Sequence, residues 1–334
     1  MLSPEDWAWS VRCDILLRVN ISDFANESSS SPIRTVAVIG LGLLGGSVAK
    51  SLRRSVGEAS PRVIGWGRRP ETREFAINHD LVDAVSDDFV EASRLADLVV
   101  IATPVDRIAQ YAIEVAKECP NVLITDVGST KRGIVDAVAA APRAATRFVA
   151  AHPIAGSEKT GIEFARDDLF DQKSIVITPS GHEVAGAVDA VDQFWRSTGG
   201  RTRRLSPQQH DEMMAVTSHA PHLISAMVAR QVPDEAIALV GRGWLDTTRI
   251  AAGDEGLWTS IVTENRAAIL AAMQAAAQDL SRLVEIIETA DDEALTEYLR
   301  AARQQRESAR PPRNPSAPAK AVKTVPPPNI HPPR

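Results

Sequence analysis

The chain has 334 residues and a net charge of −6, with 44% hydrophobic, 24% charged and only 4% aromatic residues, a composition that excludes a wholly disordered chain, a collagen-like chain and a disulfide scaffold. The acidic balance argues against a general nucleic-acid binder, and no apolar run reaches the ~18 residues of a membrane span. Two distant cysteines, Cys13 and Cys119, and an N-terminus without a basic region before a long apolar core fit a reduced, cytoplasmic protein.

Residues 1–31 are polar, carry Trp7 and Trp9 and end in Ser28 to Ser31, so they read as an N-terminal extension. A βαβ rhythm follows over residues 32–205. Apolar runs predict strands at Val36 to Ile39, Arg62 to Trp66, Leu98 to Ala102, Val122 to Thr125, Phe148 to Ala151 and Ser174 to Thr178, with a last short strand near Thr202 to Leu205. Helical stretches, the first over Gly46 to Arg54, separate many of them, which predicts an α/β, doubly wound parallel sheet covered on both faces. After Ser206-Pro207 the pattern turns helical, and residues 206–305 predict a second, all-helical domain. Residues 306–334 form a tail that becomes basic and Pro-rich, with nine prolines in the last 24 positions. That composition buries too little apolar surface to offset ordering entropy and predicts disorder.

Gly40-Leu41-Gly42-Leu43-Leu44-Gly45 closes the first strand and opens a helix. The first glycine allows a tight turn, the second lets a pyrophosphate approach the backbone, and the third lets helix and strand pack closely. A helix N-terminus adds free N–H groups and a positive dipole end. Gly40, Gly42, Leu43, Leu44 and Gly45 are therefore the candidate dinucleotide contacts. The second strand ends in Gly65-Trp66-Gly67-Arg68-Arg69, with no acid to bind ribose hydroxyls and two arginines able to pair with a 2′-phosphate. This favours NADP+ over NAD+ as the cofactor. Thr103-Pro104 ends another strand and is expected to line the nicotinamide site.

Asp126-Val127-Gly128-Ser129-Thr130-Lys131 follows the next strand, where Ser129 or Thr130 reads first as the cap of a helix beginning near Lys131. His152, after the strand beyond, lies at the same end of the sheet and has a pKa suited to taking a proton from an alcohol. The helical half adds Ser218-His219-Ala220-Pro221-His222, Asp246-Thr247-Thr248-Arg249 and Trp258. The i, i+3 histidines share a helix face, but no carboxylate set joins them, so no metal site is expected. Arg249 could bind a carboxylate in bidentate fashion.

These blocks resemble the prephenate/arogenate dehydrogenases of tyrosine biosynthesis. The resemblance rests on Val38 to Ser47, Asp126 to Lys131, His152-Pro153-Ile154-Ala155-Gly156-Ser157-Glu158, Ser218 to His222 and Asp246 to Ala251, and spans about residues 33 to 300. It implies a Rossmann-type sheet domain with an all-helical dimerisation and substrate domain, a homodimer, and NAD(P)-dependent oxidative decarboxylation of prephenate to 4-hydroxyphenylpyruvate. It further implies His152 as the base, Ser129 as the group that hydrogen-bonds the C4 hydroxyl and orients His152, and Arg249 as the holder of the side-chain carboxylate. His222 and His219 become substrate contacts, Glu158 a polar gate and Trp258 a wall of the entrance. Neither terminal segment is long enough for the mutase or regulatory domain that relatives often carry, so any tyrosine feedback would have to act at the active site. Arogenate is the alternative substrate. A β-hydroxyacid dehydrogenase is the rival class, but such enzymes typically use a helical lysine where this chain offers a histidine after a strand.

Overall fold

The computed structural model describes residues 33–54, 60–156 and 159–309, so the N-terminal extension, residues 310–334 of the tail, Cys13 and Glu158 lie outside the described residues, while residues 306–308, expected to begin the disordered tail, are the end of the last described helix. The strands are β1 (Thr35–Ile39), β2 (Arg62–Trp66), β3 (Ala84–Val85), β4 (Leu98–Ile101), β5 (Leu123–Asp126), β6 (Phe148–Pro153), β7 (Ser174–Thr178) and β8 (Arg201–Arg204). Between them lie helices α1 (Leu43–Arg53), α2 (Pro70–Asn78), α3 (Phe89–Arg94), α4 (Val105–Glu118), α5 (Arg132–Ala139), α6 (Pro142–Ala145) and α7 (Ala187–Ser197). Helices α8 (Pro207–Met214), α9 (Ala220–Arg230), α10 (Arg242–Thr248), α11 (Glu255–Glu264), α12 (Arg266–Glu288) and α13 (Asp292–Ser308) complete the described chain.

Among the described residues, one eight-stranded sheet runs in the order β3-β2-β1-β4-β5-β6-β7-β8. Its central strands are apolar on both sides because both faces are covered, whereas the edge strand β8, Arg201–Arg204, is polar and largely exposed. Val36, Val38, Val63, Leu98 and Val100 pack on one face with Phe194 and Trp195 of α7. Ala37, Ile39, Ile64, Val99 and Ile101 pack on the other with Ile108, Ala112 and Val115 of α4. The alternation follows from the two-residue period of a strand.

The sheet departs from the expected all-parallel arrangement at one pairing. β6 and β7 are antiparallel, Ala150 opposite Thr178 and Pro153 opposite Ile175. The described part of the connection between them holds only a 3-10 turn, Ile162–Phe164, and no crossover helix of the kind a parallel return needs. The first helix also begins at Leu43, three residues earlier than expected, which brings its N-terminus directly onto the glycine turn. The two-residue strand β3 was too short to register as an apolar run.

The described residues up to Ala272 pack as one compact unit, so α8 to α11 are built onto the sheet. Ser206 and Gln209 form a reciprocal capping box with Pro207 at the first helical position, which starts α8 sharply after β8. A five-residue π turn, Ala215–His219, then leads into α9. Pro221 explains it. The ring has no N–H and crowds the preceding turn, so the helix widens there rather than continuing with its regular bonds. The second unit starts at Met273, in the middle of α12. Within it, Tyr298 of α13 donates its hydroxyl proton to Asp279 of α12 at 2.6 Å, while Leu280, Val284, Ile287 and Leu299 stay exposed.

Candidate active site

β1 lies between β2 and β4, so the chain leaves β1 in one direction and returns on its other side. Such a switch point opens a crevice at the strands' carboxyl ends. Gly40 occupies it with φ +106°, and a Cβ there would sit 2.4 Å from the Ala102 carbonyl oxygen. A Cβ on Gly45 would lie 1.9 Å from the Gly40 oxygen, so α1 approaches β1 at a distance only glycine permits. Gly42 differs from both: nothing lies within 4 Å of where its Cβ would be. It is the N-cap of α1, and no side chain caps that helix end. An open space facing an uncapped helix N-terminus, flanked by two sterically required glycines, fits a dinucleotide phosphate.

Thr103 and Pro104 follow β4 beside this turn, and Pro104 is the N-cap of α4. Arg68 and Arg69 are exposed just beyond β2. Arg73, which sequence reasoning passed over, shares that end: it donates to the Gly67 carbonyl and to the Asp87 carboxylate, each at 2.6 Å.

The strands further along carry a different construction. Asp126, wholly buried at the end of β5, accepts hydrogen bonds from the Ala151 and Gly128 amides, each at 2.9 Å, and from the Lys131 ammonium. It thereby ties the loop after β5 to β6. Lys131 is also wholly buried, and burial pulls its pKa below the usual lysine range while Asp126 opposes the shift. The expected cap of α5 by Ser129 or Thr130 is not what forms. Asp211 of α8 accepts from the Lys131 and Arg132 amides at 2.8 and 2.9 Å and caps the helix from about 80 positions away. Thr130 Oγ1 is buried without a partner, and Ser129 is half-buried on the same loop.

His152 is the fifth residue of β6 and half-buried. Its Nδ1 lies 2.8 Å from Nε2 of His210, and Nδ1 of His210 lies 2.7 Å from Asp211 Oδ1. Withdrawal from water, with His210, Lys131 and His219 close by, holds His152 well below the ordinary imidazole range. Burial lowers His210 too, against the pull of Asp211. For Asp211 burial pushes upward, but the bonds from His210, Arg132 and Lys131 prevail and keep it below the usual carboxylate range. The hydrogen-bond partner of the His152 ring is thus His210, which sequence reasoning missed. Its only local signal was a histidine beside an acid at the start of the helical half.

His219 ends the π turn. Asn265 donates to the Asp211 carbonyl at 2.8 Å and lies 3.2 Å from His219 Nδ1. Burial pushes His219 down to about 4. His222 stacks on Trp258, ring centroids 3.4 Å apart. A Cβ on Gly253 would reach 2.6 Å from Trp258 Nε1 and 3.1 Å from His222, so the chain needs its glycine there. Arg249 is exposed at the start of the 3-10 turn Arg249–Ala252, which packs against α9, the helix bearing His222. The structure therefore gathers His152, His219, His222 and Trp258 with the unanticipated His210, Asp211, Lys131 and Asn265.

A family model for the nucleotide-binding domain of prephenate dehydrogenase matches residues 48–204, and one for the prephenate dehydrogenase dimerization domain matches residues 206–301. The chain is 31% identical to the prephenate dehydrogenase of Bacillus subtilis over 281 residues, covering 82% of this chain and 75% of that protein. The chain belongs to the prephenate dehydrogenase family. Among solved structures it is similar to the A. aeolicus prephenate dehydrogenase in complex with hydroxyphenyl propionate and NAD+, at 29% identity and a TM-score of 0.76, covering 84% of this chain and 99% of that one. It is also similar to the Synechocystis arogenate dehydrogenase, at 28% identity and a TM-score of 0.70, covering 82% of this chain and 99% of that one. The family membership makes the chain an oxidoreductase with a nicotinamide dinucleotide site, and the two matched segments divide the histidine cluster between them.

Proposed function

We propose that this chain is a prephenate dehydrogenase converting prephenate to 4-hydroxyphenylpyruvate and CO2, with His152 as its base. The observation that carries the reading is the His152 imidazole, held neutral at the carboxyl end of β6 and hydrogen-bonded through Nδ1, so that its second nitrogen is left for a hydroxyl proton. When bound, a nicotinamide dinucleotide supplies the acceptor for the hydride on ring C4. His152 takes the C4 hydroxyl proton as the hydride departs. The bond from C1 to the ring carboxylate breaks, its electron pair enters the ring, and the proton returns to what is now a phenolic oxygen. Aromatisation supplies driving force, so the protein's task is to orient the ring and hold its two carboxylates. Arg249, His222 and His219 are the groups for that work, Ser129 borders the hydroxyl, and Trp258 stacked on His222 forms an apolar wall. Gly40, Gly42, Leu43, Leu44, Gly45, Thr103 and Pro104 hold the dinucleotide.

Arogenate is a second reading, supported by the likeness to the Synechocystis enzyme. Arg68 and Arg69, exposed beyond β2 without an acid between Gly65 and Arg69, support a preference for NADP+. The exposed leucines, valine and isoleucine of α12 and α13 support a homodimer.

Steady-state assays with prephenate and arogenate, each with NAD+ and NADP+, test the reading. Turnover of prephenate is expected, with kcat lowered on the order of 10²- to 10⁴-fold in His152→Asn while substrate still binds. Absence of reduced cofactor with either substrate, or full activity in His152→Asn, refutes it. A clear NAD+ preference refutes the cofactor assignment alone.

A further inference from the structure

We propose that His210 and Asp211 are positioning residues that fix the tautomer of His152, placing its proton on Nδ1 and leaving the Nε2 lone pair as the base. The inference rests on the function proposed above for its chemistry, but its geometry stands on hydrogen bonds alone.

The chain of reasoning starts from groups that can only donate. The backbone N–H groups of Lys131 and Arg132 point at Asp211 Oδ1 and Oδ2, 2.8 and 2.9 Å away. The carboxylate is therefore an acceptor at both oxygens. His210 Nδ1, 2.7 Å from Oδ1, must carry the hydrogen of that contact. His210 is wholly buried beside the Lys131 cation and stays neutral, so its Nε2 holds a lone pair. Two lone pairs cannot face each other across 2.8 Å, so His152 Nδ1 carries the hydrogen between the rings. A neutral His152 with its proton on Nδ1 has its lone pair on Nε2. Were His210 turned over or doubly protonated, it would donate to Nδ1, and Nε2 of His152 would carry a proton and could take none.

The same segment sets the opposite tautomer on a second ring. The Asn265 amide nitrogen is fixed as a donor by the Asp211 carbonyl, so His219 Nδ1 accepts from it and the His219 proton sits on Nε2. That nitrogen is buried with no protein partner. One stretch of α8 thus makes one histidine an acceptor and another a donor. The charged and titratable groups around this network are Asp126 at the end of β5, Lys131 from the loop after it, Asp211 and His210 from α8, His219 from the π turn, His222 from α9 and Glu264 at the end of α11. During turnover, the proton taken by His152 Nε2 makes an imidazolium whose Nδ1–H already points at His210. The carboxylate behind His210 stabilises that charge without moving.

Nitrogen-15 NMR of the unaltered protein, assigned against His152→Asn and His219→Gln proteins, tests the tautomers directly. The expected spectrum has His152 protonated on Nδ1 with a pyridine-type Nε2, and His219 the reverse. A protonated Nε2 on neutral His152 overturns the proposal, whether or not the chain turns over prephenate. Kinetics supply the second arm. His210→Phe fills the space but offers no acceptor, and kcat is expected to fall on the order of a hundredfold or more with KM changed only a few-fold. His210→Gln can present an amide oxygen to His152 Nδ1 and is expected to recover at least about tenfold of that loss. Wild-type kcat in His210→Phe, or equal loss in both variants, overturns the positioning role.

Discussion

The two ends of this chain's site are built on opposite plans. At the β1–α1 turn the functional surface is backbone: glycines at contact distance, an uncapped helix end, and arginines at the rim. At the ends of β5 and β6 it is side chain. Asp126, Lys131, His152, His210, Asp211, His219 and Asn265 form one buried polar network, drawn from two strands, a loop, two helical turns and the residue after α11. The first plan suits a phosphate, which needs close approach and donors that never titrate. The second suits proton transfer, which needs one ring poised between protonation states and neighbours that hold it so.

The backbone plan is the easier to break. In Gly45→Ala the new methyl meets the Gly40 carbonyl at 1.9 Å, and neither group is a flexible side-chain end. The loss is expected above about 4 kcal/mol, at the top of the range for single substitutions, together with loss of dinucleotide binding. Gly42→Ala meets nothing within 4 Å, so its melting temperature should match the parent while cofactor affinity falls. Thermal melts and cofactor titrations on the two proteins separate the roles. Equal melting temperatures for both would show that α1 can shift away from β1.

The side-chain plan fails more gradually because its members share the load. Lys131→Met leaves the Asp126 carboxylate buried with two backbone donors but no cation. Breaking one side of such a pair costs about 3–5 kcal/mol, and those two donors favour the lower end. Adding Asp126→Asn should return part of the loss, since the stranded charge goes with it. Urea unfolding of the single and double variants reads the coupling. A double variant weaker than Lys131→Met by the full cost of a second substitution would show the two residues acting independently.

This contrast explains what could be read from the chain and what could not. The nucleotide end lies within a short stretch: strand, glycines and helix follow one another in Val36 to Arg53, so local pattern suffices. His152 was visible because it ends an apolar run. His210 was not, since its meaning comes from a strand 58 positions earlier. Asp211 was equally silent, because helix caps are sought beside a helix and this one arrives from α8. Asn265 looks like an ordinary helix end, and only the fold sets its amide against His219. The antiparallel turn at β6–β7 was hidden for a related reason: apolar runs report burial, not strand direction.

The mildest test of the contrast is acid. The nucleotide turn holds no titratable group, whereas the histidine network couples folding to pH with a definite sign. His219 has its pKa pushed from 6.5 to about 4 by burial, and His152, His210 and His222 move the same way. Between pH 6.5 and about 4 the unfolded chain therefore binds protons that the folded chain refuses. Stability is full above the unfolded value and is lost as pH falls through that window. His219 alone contributes about 3 kcal/mol of the change. Asp211, lowered from 3.8, gives its own loss only at more acid pH, so the two contributions fall in different ranges. Urea midpoints measured from about pH 7 to about pH 4 should decline steadily, and His219→Gln should flatten the slope by removing one proton of difference. A flat profile, or an unaltered slope in His219→Gln, would mean that water reaches the ring and that this end of the site is not closed by its own side chains.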